Sequence, residues 1–75
     1  MQAGLAECTF LMLSVIRNMY KQEKITIDEF LNYTEMKIPF LSQNIESISS
    51  ENDKIKANRV LCECASIICE YQYSL

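Results

Sequence analysis

Between Val60 and Tyr71 the chain reads VLCECASIICEY, and only Glu63, Ser66 and Glu70 in that stretch are clearly polar. Their spacings of three and four continue backward through Arg59, Lys56 and Asn52. On a helix this draws one narrow wet stripe and leaves the rest of the circumference apolar, so the helix has to be covered on nearly every side. A chain of 75 residues has little mass with which to do that. Either this helix is the centre of the fold or another chain completes its cover. Domains of this size bury only about 60–65% of the surface their unfolded chains expose, and they commonly lean on a staple, a metal or self-association.

The chain holds one Gly and one Pro, which argues against a turn-rich β fold and for a few long helices. The expected fold class is all-α: one helical domain over residues 1–75, an up-down-up three-helix unit completed into a larger bundle by homo-oligomerisation. The helices are predicted at roughly 2–21, 26–47 and 50–72. In the first, Leu5, Met12, Ile16 and Met19 fall on one side with Cys8 and Val15 beside them, while Glu7, Ser14, Asn18 and Lys21 mark the wet side. Arg17 and Lys21 stand in its last turn, where cations complement the carbonyl end of the helix dipole. Phe10 lies inside the polar stripe and Leu11 borders it, which is a mismatch for a simple amphipathic helix.

The second helix has the clearest start. Thr26 and Glu29 have the T-x-x-E spacing of a capping box, and Ile25 and Phe30 are placed to form a hydrophobic staple across it. Its inner stripe is Ile27, Leu31, Thr34, Ile38, Leu41, Ile45 and Ile48. Pro39 interrupts the helix, but the stripe stays in phase across it. One kinked helix is therefore expected, the alternative being a break with Pro39 opening a new helix at its first position. Ser49 or Ser50 is expected to cap the third helix, with Glu51 and Asp53 in its first turn. Around that third helix, Ala57, Leu61, Cys64 and Ile68 oppose the polar stripe, with Val60, Ile67 and Tyr71 on one flank. Ile55, Cys62, Ala65 and Cys69 form the other flank, whose small side chains permit close approach of another backbone.

Chemistry is poorly provided for. The chain has no histidine, so the commonest general base and the commonest metal ligand are both missing. The single Gly4 excludes a glycine-rich phosphate loop. Asp28 and Glu29 are accounted for as helix-start residues. No catalytic residue, cofactor site or metal site is assigned, and the protein is not expected to be an enzyme. Cys8, Cys62, Cys64 and Cys69 match the number of thiols in a structural zinc site, but a helix turns Cys62 and Cys64 about 200° apart and sets Cys62 and Cys69 about 10 Å apart along the axis. They are read as small core residues, with a cross-chain disulfide through Cys62 or Cys69 as the exception. A net charge of −3 without a basic cluster disfavours nucleic acid. No apolar run reaches the length of a membrane span, and the run Cys8 to Ile16 lacks the cationic lead-in of a secretory signal. A cytoplasmic location with reduced thiols is expected.

What remains is surface. Leu61, Cys62, Ala65, Ile67, Ile68 and Cys69 are the candidates for self-association. With the inner stripe of the second helix turned to the core, Tyr33, Met36 and Phe40 form a ladder on its outer face. Together with Phe10 and Leu11 they are the candidates for a partner surface, because aromatic and methionine side chains are enriched at interface cores. The expected function is a non-enzymatic helical protein–protein interaction module, a small regulator or stoichiometric inhibitor acting as a homo-oligomer. The alternative is a binder or sponge for a small anionic ligand, held between subunits by Tyr20, Tyr71 and Tyr73 with Arg17, Lys21 and Lys24.

Overall fold

The computed structural model describes residues 4–74, and among them there are helices and no strand. Helix α1 spans Leu5–Lys21, α2 Ile27–Thr34, α3 Lys37–Asn44 and α4 Glu51–Tyr73, with a short 3-10 turn at Ile45–Ser47. The all-α class follows. Gly4 is extended and its N–H donates to the Glu7 carboxylate, so α1 opens at Leu5. The earlier start expected at Gln2 falls outside the described residues.

The punctuation of the chain explains most of these limits. The Thr26 hydroxyl accepts from the Glu29 N–H at 3.1 Å, and the Glu29 carboxylate accepts from the Thr26 N–H at 2.9 Å, which completes the capping box of α2. Both members of the staple, Ile25 and Phe30, are buried. Ser50 caps α4 by accepting from the Asp53 N–H at 3.3 Å. The turn that ends α1 is a Schellman motif: Glu23 N–H donates to the Tyr20 carbonyl and Lys24 N–H to the Met19 carbonyl. Its left-handed position is held by Glu23, with φ of 59°, where glycine would be the unstrained choice.

The expected second helix is divided into α2 and α3. Pro39 is the third residue of α3, where its missing N–H has no helical carbonyl to serve, rather than the first. Glu35 and Met36, between the two helices, keep right-handed helical angles, so the path bends without losing phase. Two features interrupt the hydrogen-bond ladder there: Pro39 cannot donate to Glu35, and the Thr34 hydroxyl donates back to the Phe30 carbonyl at 2.9 Å. Because phase is kept, the whole predicted inner stripe faces inward. Thr34, Leu41 and Ile48 are buried, and Ile27, Leu31, Ile38 and Ile45 are half-buried.

One core gathers Phe10 and Leu13 from α1, Phe30 from α2, Leu41 from α3, Ile48 from the connection, and Ala57, Val60 and Cys64 from α4. The Phe30 ring is fully enclosed and lies 5.1 Å from the Tyr20 ring, tilted by 44°. Helix α1 touches each of the other three helices. It packs, however, on a different face from the one expected. Its buried line is Ala6, Phe10 and Leu13, continued by the half-buried Arg17 and Tyr20, whereas Leu5, Cys8, Met12 and Val15 are exposed. The two lines lie about 140° apart round the helix, at roughly 100° per residue.

Candidate functional site

The rotation of α1 decides what the surface offers. Phe10, one of the five candidate partner residues, is 8% exposed and belongs to the core. Periodicity sets Phe10 on the wet side with Glu7 and Ser14, but that side turns toward the fold, and Glu7 and Ser14 are half-buried. The other four candidates lie at the surface: Leu11 is 58% exposed and Met36 78%, and Tyr33 and Phe40 are also exposed. Phe40 and Met36 border a shallow apolar groove with Leu5, Thr9 and Lys37. Leu11 borders its continuation, with Met12, Val15, Ile16 and Lys37. Tyr33 does not line the groove. Its carbonyl accepts from the Lys37 ammonium at 3.1 Å and so helps to place that cation.

The exposed line on α1 is Leu5, Cys8, Met12 and Val15, ending at the half-buried Met19. Spacings of three, four, three and four make it a second apolar seam of coiled-coil type, beside the one that packs on the core. Helix α1 is thus apolar on two sides, and the fold covers one of them.

The six self-association candidates on α4 do not share one face. Leu61, Ile67 and Ile68 are half-buried against the protomer's own core. Cys62, Ala65 and Cys69 are exposed with Ile55 along the opposite flank. Cys64 is enclosed, and burial pushes its thiol up to about 11. Its thiolate, the reactive form, is therefore scarce near neutral pH. A thiol titration with a disulfide reagent at pH 8 should show Cys8 reacting promptly and Cys64 only after denaturant is added. A Cys64 as fast as Cys8 would show that α4 does not pack as described. Among the described residues no group of three or more Cys, Asp or Glu side chains converges as metal ligands would.

Two of the three cations assigned to a possible anion site, Arg17 and Lys21, are already engaged. Glu63 on α4 receives Arg17 at 2.7 Å and Lys21 at 2.7 Å, both from α1. The hydrogen bond from Lys21, supported by the charge of Arg17, holds the Glu63 carboxyl below its ordinary value despite some desolvation. The sequence signal for this cross-helix triad is the i, i+4 spacing of Arg17 and Lys21 together with an acid inside the polar stripe of α4.

Compared with known proteins, the chain matches no family, no curated protein and no solved structure. No helix among the described residues is long and apolar enough to cross a membrane.

Proposed function

We propose that this chain is a non-enzymatic helical protein–protein interaction module that works as a homo-oligomer, a small regulator or stoichiometric inhibitor of a larger protein. The observation that carries the proposal is the uncovered seam on α1 with Met36 and Phe40 beside it: a contiguous apolar surface on a small acidic chain is a contact surface more often than an accident. The up-down-up path and its completion into a larger bundle belong to the same proposal. Self-association uses the small-residue flank of α4, where Cys62, Ala65 and Cys69 let a second copy's helix come close. The α1–α3 groove is left for the partner. The anion-binding alternative is weaker because Arg17 and Lys21 already hold Glu63.

Light scattering at micromolar concentration should give a multiple of the 8.7 kDa chain mass. Ala65→Glu, on the exposed flank, should reduce that mass while leaving the helical circular dichroism intact. Ile67→Glu and Ile68→Glu should damage folding as well, since both side chains lean on the core. A monomer mass for the native chain would remove the oligomer from the proposal.

A further inference from the structure

Lys37 separates the α1–α3 groove from the other apolar parts of the surface. It borders both halves of the groove, Leu5–Thr9–Met36–Phe40 on one side and Leu11–Met12–Val15–Ile16 on the other. Its ammonium donates to the Tyr33 carbonyl and meets no carboxylate within 4.0 Å among the described residues. No acid lines either half. An apolar trough bordered by one half-buried lysine, whose exposed ammonium meets a carbonyl and no acid, is selective about what fills it.

The seam along the trough sets the shape of the occupant. The α1 lining from Leu5 to Ile16 covers about 16 Å at 1.5 Å per residue, which is the length of a helix of roughly 11 residues. Its alternating spacings accept knobs from a helix laid alongside. A second copy of this chain fits poorly. A two-fold contact about the groove's midpoint would bring two Lys37 ammoniums together over apolar walls with no acid to receive them, and juxtaposed like charges oppose association. We infer that the groove docks an amphipathic helix of another protein, one with apolar residues in a three–four repeat and a carboxylate midway along that face, paired with Lys37. This rests on the interaction-module proposal and names the chemistry of its partner.

The test uses two labelled synthetic peptides of about 18 residues, long enough to hold a helix. Both carry Leu at the three–four positions, and they differ only in having Glu or Lys at the centre beside the seam. In fluorescence anisotropy with the full chain, the Glu peptide should bind roughly three- to tenfold tighter than the Lys peptide, as attraction of the one and repulsion of the other allow, with the preference shrinking as salt is added. Lys37→Glu should invert the preference. Lys37→Met, which keeps the stem and drops the charge, should abolish it. Val15→Glu should release both peptides.

Equal binding of the two peptides overturns the acidic-helix inference and leaves the interaction module standing. Binding of neither overturns the inference, and with a monomer mass in light scattering it takes the module reading with it. A fall in oligomer mass on Val15→Glu gives the groove to a second copy. Retention of the chain on neutral phosphatidylcholine vesicles, lost with Val15→Glu, gives it to lipid. Either result overturns the inference.

Discussion

Phe30→Ala should cost about 3–5 kcal/mol, the usual range for removing a fully buried phenylalanine ring. At roughly 0.05–0.15 kcal/mol per residue, a domain of this size has about 4–11 kcal/mol in total, so the variant should lose about a quarter of its stability or more, and at the lower end of that range it unfolds at room temperature. Two losses combine. The ring is 0% exposed, so its cavity has to be lined by neighbours that cannot all collapse into it. It also stacks at 5.1 Å on Tyr20 of α1, a contact between the first two helices, and aromatic pairs of this kind contribute about 0.5–1.5 kcal/mol beyond the area they bury. Urea denaturation followed by circular dichroism reads the effect directly. Phe40→Ala is the matched control: the same ring at the groove edge should cost less than about 1 kcal/mol, as substitutions outside the core generally do. A Phe30→Ala midpoint indistinguishable from that of Phe40→Ala would place the core elsewhere.

Much of α2, α3 and α4 can be read from the chain because independent local signals agree there. The Thr26–Glu29 box, the Ile25–Phe30 staple and an inner stripe with the helical period all point to the same start and the same face. The Ser50 cap and the acids after it do the same for the start of α4, and of the four residues opposite its polar stripe Ala57 and Cys64 are buried while Leu61 and Ile68 are half-buried. Pro39 leaves two local outcomes open in the sequence. A proline three residues into a helix and a proline that kinks a longer one differ only in whether the preceding carbonyls find partners. Here the Lys37 ammonium serves one of those carbonyls, that of Tyr33. Glu23 gives no sequence signal at all, since only its neighbours' hydrogen bonds force its left-handed angle.

Helix α1 misleads for a physical reason that also concerns function. Apolar residues run almost all round it, so periodicity offers two seams and no means of choosing between them. Arg17 looks like a solvent-facing dipole cation, and it obscures the buried line between Leu13 and Tyr20. Only Glu63, 46 residues later, explains why an arginine can sit there. Local sequence cannot supply that partner, because it arises from the packing of α1 on α4. The residues that look most like core, Leu5, Met12 and Val15, are ones the fold leaves exposed.

Phe10→Ala and Leu11→Ala separate the two seams at adjacent positions. Phe10 is 8% exposed within the core, and its truncation should cost about 3–4 kcal/mol, near the lower part of the range for phenylalanine because the site lies at the edge of the cluster. Leu11, 58% exposed, should change stability by no more than about 0.5 kcal/mol, the usual limit for a surface side chain without a special partner. If the face expected from periodicity were the buried one, the order would reverse, with Leu5→Ala and Met12→Ala joining the costly set. The two seams then differ in their second readout. Leu11→Ala, silent in urea, should weaken the Glu-centred peptide because Leu11 borders the groove beside Met12 and Val15. A Leu11→Ala chain that keeps both its stability and its peptide affinity would mean that the outer seam is bare surface and that the rotation of α1 carries no function.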